Sequence, residues 1–238
     1  LTSITIPDGV TSIGDYSFYG CVGLTSITIP DSVTSIGYSA FESCTSLSSI
    51  TIPDSVTSIS NSAFGSCTSL SSITIPDSVA DIAVDAFWNC NSLTSINVDS
   101  ENKFYTSEDG VVFNKDKSKL INYPSGKSVK EYAIPDSVTR IGEDAFYSCF
   151  NLTSITIPDR VTSIGKWAFA GCQSLTSITI ENPDCIILDD SGTISNYYDD
   201  STDDFLFNGT IFGHENSSAQ AYAEKYGRKF EVVSDVSR

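Results

Sequence analysis

Every 23 residues the chain repeats itself: the pattern Leu-x-x-Ile-x-Ile-Pro-Asp-x-Val-x-x-Ile-Gly-x-x-Ala-Phe-x-x-Cys begins at Leu1 and returns at Leu24, Leu47, Leu70, Leu93, Leu152 and Leu175. A degenerate copy starts at Val129. A period of this length means a stacked array in which each repeat is one coil touching only its neighbours. One such coil cannot bury enough apolar surface to offset the entropy of ordering it, so the coils must stack to fold.

The order of residues within a repeat predicts how a coil runs. In Leu47 to Ile52, Ile50 and Ile52 fall on one face and Ser49 and Thr51 on the other, which is a strand pattern. Pro53-Asp54 supplies a turn. Val56 and Ile59 then point inward from a second short extended stretch. A small residue follows (Gly14, Gly37, Ser60, Gly142 or Gly165) and lets the backbone bend, after which Asn61 to Phe64 reads as a helical turn carrying one aromatic inward. Stacking puts Ile on Ile, Phe on Phe and strand beside parallel strand.

These residues resemble the repeat of the BspA-like leucine-rich repeat family, and the resemblance covers Leu1 to Ile180. It implies a leucine-rich repeat right-handed solenoid with parallel β-strands on a concave face and short strands and helical turns on the convex face. It also implies a secreted or cell-surface bacterial protein of a group in which some members bind host matrix proteins. Asn102 to Pro124 resembles the family's hairpin insertion, and Thr210 to Gly227 its C-terminal cap. The family's activities are not tied to particular residues, so no site is carried over.

The insertion and cap can also be read directly. Leu93 to Val129 is 36 residues, 13 more than one period, and Val111 to Phe113 and Leu120 to Tyr123 read as strands joined by a polar loop. Past Ile180 the pattern decays into an aspartate-rich stretch, after which Ser217 or Ser218 can cap a short helix ending at Gly227, followed by a strand over Lys229 to Val233. The expected organisation is a solenoid over residues 1–180, with its hairpin at 102–124, continuous with a degenerate repeat and cap over 181–238. Leu1 is itself a core position with no initiator Met and no polar cap before it, which creates the expectation that an N-terminal portion precedes this chain.

Charge excludes several partners. Thirty acidic residues face 13 Lys and Arg, for a net charge of −17, and the first 98 residues hold eight acids with no Lys or Arg. Phosphate binding depends on clustered cations, so nucleic acid is excluded, and an anionic membrane surface would repel the chain. No apolar run reaches the ~18 residues that span a bilayer, and the start lacks a basic-then-apolar leader profile.

Little in the chain points to chemistry. Cys21, Cys44, Cys67, Cys90, Cys149 and Cys172 share one repeat position beside the core Phe, which reads as a row of reduced, buried thiols, with Cys185 apart. No Cys-x-x-Cys or Cys/His cluster marks a metal site. The single histidine, His214, has no Gly-x-Ser-x-Gly elbow or His-Glu-x-x-His helix around it, so neither a catalytic site nor a cofactor is expected. Asp184 to Asp204 holds seven aspartates and partly resembles a calcium loop, but Ile194 stands where the central glycine belongs and the last ligand is Asp rather than Glu. A solvated loop is the expected reading.

The candidate binding surface is the outward side of the Ile-x-Ile strands. Its rows comprise Ser26, Ser49, Ser72 and Ser95 beside Thr28, Thr51, Thr74 and Asn97, continued by Ser154 and Thr156. Threonine rows on flat sheets can order ice, but a curved sheet mismatches that lattice. A protein or glycan partner in the groove is the favoured use of such a bare face. Outward aromatics such as Tyr16, Tyr19, Trp88, Tyr147 and Trp167 fall on scattered coils, so no stacking platform for sugars is expected. The sequence therefore points to a non-catalytic, extracellular protein-binding or adhesion module. The alternatives are a structural spacer without a ligand, and carbohydrate recognition.

Overall fold

The computed structural model describes residues 2–233, so Leu1, expected as the first core leucine, and residues 234–238 of the expected cap lie outside the described residues. The chain divides into two compact units, Leu1–Lys117 with Ile121–Lys127 and Ser118–Leu120 with Ser128–Arg238.

In the first unit the strands are β1 (Ser3–Thr5), β2 (Ser12–Ile13), β3 (Ser26–Thr28), β4 (Ser35–Ile36), β5 (Ser58–Ile59), β6 (Ser72–Ile75), β7 (Asp81–Ile82), β8 (Ser95–Val98), β9 (Tyr105–Glu108) and β10 (Val111–Asn114). Each parallel pair joins a residue to its equivalent one period later. On one side of the coil β1 pairs β3 and β6 pairs β8, with a Thr28 to Thr51 bridge between. On the next side β2, β4, β5 and β7 form a second parallel ladder.

The segment Leu47 to Ile52, expected as a strand, keeps only that bridge at Thr51. Its next-coil hydrogen bond, Ser71 N–H to Ser48 O, stretches to 3.5 Å. The predicted facing survives nonetheless, with Ile50 and Ile52 buried and Ser49 and Thr51 exposed.

The third side of the coil is not the helical turn expected over Asn61 to Phe64. Ser39, Ser62 and Asp144 have φ of 49°, 54° and 52°, and Ser43, Ser66 and Ser148 repeat the left-handed conformation four residues on. A helical turn would spend its N–H groups internally. Here alternate N–H groups turn toward the following coil: Phe41 N–H donates to Ala63 O at 2.8 Å, Phe64 N–H to Ala86 O at 2.9 Å and Ser66 N–H to Trp88 O at 2.8 Å. The glycine ahead of this segment also acts differently from the expectation. A Cβ on Gly37 would lie 2.6 Å from Asp15 Oδ1 and 2.8 Å from Asp15 N, so what demands glycine there is close approach of the preceding coil.

The core is a set of columns. Phe18, Phe41, Phe64 and Phe87 stack at 5.1, 5.4 and 5.7 Å between ring centroids, within 7° of parallel. Beside them the thiols of Cys44, Cys67 and Cys90 each donate to a phenylalanine carbonyl of the preceding coil, Cys44 to Phe18 O at 3.1 Å, Cys67 to Phe41 O at 3.2 Å and Cys90 to Phe64 O at 3.0 Å. Hydroxyls tie the outer rim in the same direction, Thr25 to Thr2 O at 3.0 Å, Thr34 to Thr11 O at 3.1 Å and Ser55 to Val33 O at 2.6 Å.

The insertion has one strand more than expected. Tyr105–Glu108 pairs antiparallel with Val111–Asn114 across Asp109-Gly110, whose φ values of 49° and 76° suit a two-residue hairpin turn. This hairpin meets the edge of β8, because Ile96 N–H donates to Gly110 O at 3.0 Å and Val98 N–H to Ser107 Oγ at 2.9 Å. Buried Asn102 secures its root, donating to Pro76 O and Val79 O while Oδ1 accepts from the Phe104 and Tyr105 N–H groups.

Strand β11 (Lys119–Asn122) has Lys119 and Leu120 in the second unit, where they pair with β13. That unit's strands are β12 (Glu131–Ala133), β13 (Arg140–Ile141), β14 (Ser154–Ile157), β15 (Ser163–Ile164), β16 (Ser177–Ile180), β17 (Ile186–Ile187), β18 (Tyr197–Asp199), β19 (Asp204–Leu206), β20 (Thr210–Gly213) and β21 (Lys229–Val232). A parallel sheet in the order β12, β14, β16, β20, β21 ends the repeat, with α1 (Ser218–Lys225), the single helix among the described residues, packed beside it. Ser217 caps that helix, its side chain accepting from the Gln220 N–H at 3.3 Å. Tyr222 anchors it by donating to Asp190 O at 2.9 Å and accepting from Ile194 N–H at 3.1 Å.

Candidate functional site

The outward strand residues form registered rows within each unit. In the first, Ser26 and Thr28 follow Ser3 and Thr5, and Ser72 and Thr74 pair with Ser95 and Asn97. In the second, Ser154 and Thr156 pair with Ser177 and Thr179. Ser26, Thr28, Ser49, Thr51, Ser72, Thr74, Asn97 and Thr156 are exposed, while Ser95 and Ser154 are half-buried. Among the described residues the expected rows fall in separate sheets, β8 in the sheet β6-β8 and β14 in the sheet headed by β12. The hairpin accounts for the interruption at β8. It also lowers Ser95, whose hydroxyl donates to Asn97 Oδ1 at 2.8 Å under the approach of Gly110.

In the second unit this face holds a groove of about 580 Å³, lined by Glu131, Tyr132, Ile155, Thr156, Arg160 and Glu181 among others. Arg160 shapes it. Sister coils carry Ser32, Ser55 or Ser78 at this place, each donating to a carbonyl of the coil before. Arg160 reaches a different carbonyl of the coil before, Ile134 O, through Nη2 at 3.0 Å, and lies 2.9 Å from the exposed Asp136 carboxylate. Its Nε is buried without a hydrogen-bond partner. Sequence reasoning passed over Arg160, although a cation in a column of small residues was the visible signal.

A second feature missed from the sequence is an aromatic cluster. Tyr16 lies edge-on to Tyr19 at 5.8 Å and 73°, and to Tyr38 at 5.2 Å and 75°. All three rings are exposed. Tyr16 and Tyr38 sit at different repeat positions, so reading down columns separates residues that the coil geometry brings together.

The remaining candidates are engaged locally. The seven cysteines are reduced thiols, outside any disulfide. Burial pushes Cys44 up to about 11 and Cys90 up to about 12, and raises Cys67 and Cys149 well above the ordinary thiol value. Of the aspartates in the expected loop, Asp189 accepts from Lys225 and Tyr226, Asp190 from Trp167 Nε1 at 3.0 Å, Asp199 from Ser201 and Asp203 from Tyr198. Among the described residues no three His, Cys, Asp or Glu side chains converge in a metal-binding group. His214 is half-buried at the cap, its carbonyl accepting from the Ser217 N–H at 3.3 Å. Among the described residues no helix is long and apolar enough to cross a membrane.

With this geometry in place, comparison assigns the family. The BspA type leucine rich repeat region matches in six copies over residues 1–114 and 123–195. The chain belongs to the BspA-type leucine-rich repeat family. Among solved members of this fold, a leucine-rich repeat protein from Eubacterium ventriosum is 27% identical, with a TM-score of 0.64 over 90% of this chain and 67% of the other. A leucine rich cell surface protein from Faecalibacterium prausnitzii is 26% identical, with a TM-score of 0.52 over 99% of this chain and 80% of the other. The pneumococcal vaccine antigen PcpA shares the fold at 22% identity, with a TM-score of 0.62 over 98% of this chain and 79% of its own. No curated protein matches the sequence.

Proposed function

We propose that this BspA-type repeat chain is a non-catalytic binding module of a bacterial cell surface that takes a protein partner on its hydroxyl-bearing strand face. The observation that carries the reading is the groove beside Thr156, where Glu131, Glu181 and Arg160 place charge of both signs next to Tyr132 and Ile155. Rows of short side chains admit a partner's own side chains, and mixed charge beside apolar surface gives them register. Membership of the family and a Faecalibacterium relative described as a cell surface protein support the extracellular setting.

A spacer without a ligand is the second reading, favoured by the hydroxyls already spent on stacking, such as Thr153 to Lys130 O at 3.1 Å and Thr176 to Thr153 O at 3.1 Å. Binding of the chain to immobilised matrix proteins, measured by interferometry, separates the two. Thr156→Arg and Glu181→Lys should abolish binding while leaving the melting curve in place. Binding unchanged by these substitutions and by deletion of Tyr105 to Asn114 would leave the spacer reading standing.

A further inference from the structure

Tyr16 and Trp167 occupy one repeat position, where other coils bury a small polar residue such as Ser39, Ser62 or Asp144. All five hold the left-handed conformation, with φ of 57°, 54°, 49°, 54° and 52° in that order, which a bulky side chain rarely adopts. An aromatic ring placed there at the expense of backbone strain invites a reason.

Trp167 displays one. The Lys166 ammonium lies 4.0 Å from its ring centroid, and the Asp190 carboxylate accepts from Trp167 Nε1 at 3.0 Å while standing 3.8 Å from that ammonium. Ring face, carboxylate and cation meet in one place. At Tyr16 the same ring and carboxylate components are present. Tyr19 and Tyr38 flank it at near right angles, the Asp15 carboxylate accepts from Tyr38 N–H at 2.8 Å, and the cluster's rings are 55%, 53% and 43% exposed for Tyr16, Tyr19 and Tyr38. The Tyr16 phenol is pushed up by desolvation, then by its hydroxyl bond with Tyr38, then by the negative charge of Glu42 and Asp15. The cation alone is missing, since the first 98 residues include no Lys or Arg.

We infer that Tyr16, Tyr19 and Tyr38, with Asp15 and Glu42, form a receptor for a lysine or arginine side chain of a partner protein. A ring's negative face attracts a cation, and nearby carboxylates add to that field. Rings set at 73° and 75° to one another make walls around a compact charge, whereas a sugar stacks best on a flat aromatic platform. This surface is separate from the strand face, so either can fail without the other.

The test uses the whole chain and a decalysine peptide, titrated by calorimetry at roughly physiological salt to screen bulk attraction. The comparison is Tyr16→Ser, Tyr19→Ala, Tyr38→Asn, each residue borrowed from a sister coil and the net charge left unchanged. The inference expects about a tenfold loss of affinity in the triple variant, and binding equal to the parent in the charge-neutral control Tyr197→Ser, an exposed tyrosine of the second unit. It also expects decalysine to protect these tyrosines from nitration in the parent chain, a readout that needs no variant to fold. Equal affinity of parent and triple variant would show bulk charge alone and overturn the inference. So would tyrosines that bind a neutral oligosaccharide while ignoring decalysine.

Discussion

A buried phenylalanine recurring once per period packs against its equivalents before and behind, so its removal is felt by three coils. Phe64 is fully buried between Phe41 and Phe87, and Phe64→Ala should cost about 3 to 5 kcal/mol, read from the shift in a urea transition. A loss under about 1 kcal/mol would contradict the columnar core. The cysteines beside this column make a pH prediction. Burial raises Cys44 to about 11 and Cys90 to about 12, above the thiol's ordinary ~8.5, so the folded chain holds protons that the unfolded chain releases. Stability is therefore complete below about pH 8.5 and falls as pH climbs toward 11 and 12. Denaturation midpoints from pH 8 to 11 should show that decline, and a Cys44→Ala, Cys90→Ala variant should show a shallower one. These core positions were legible in the sequence because inward residues recur in fixed columns. The Tyr16 cluster was not, since its rings meet diagonally across columns, and neither was the role of Arg160, whose long side chain reaches past the carbonyl its sister serines bond to another, Ile134 O.

Among the elements, the hairpin departs most from its sequence reading. Val111 to Phe113 was visible as an apolar run, but Tyr105–Glu108 mixes polar and aromatic residues and becomes a strand only because Asp109-Gly110 folds it back. Gly110 is confined twice over, by its φ of 76° and by Ser95, whose Cα would sit 2.7 Å from an added Cβ. Gly110→Ala should therefore destabilise the first unit by about 1 to 3 kcal/mol, with hydrogen exchange quickened at Ile96 and Val98, whose N–H groups the hairpin accepts. Exchange unchanged at those two amides would mean that the hairpin does not seal the β8 edge. The turn segments teach a related lesson: Asn61 to Phe64 has helix-compatible composition, and the pull of the neighbouring coil's carbonyls sets its conformation instead.

At the scale of the whole molecule, stability is a sum over neighbours. Excising Leu24 through Ser46 removes one period and brings Phe64 over Phe18 with every ladder register intact, since each pairing runs between equivalent residues. The shortened chain should keep its circular dichroism and a cooperative transition at a lower urea midpoint. A chain unfolded in buffer would contradict nearest-neighbour stacking.

The ties at Thr25, Thr34 and Ser55 run from a side chain to a main-chain carbonyl one coil back and ask nothing of that coil's own side chains. A gene can therefore gain or shed periods by in-frame recombination without renegotiating these ties. Reach thus evolves independently of the chemistry displayed on any rung.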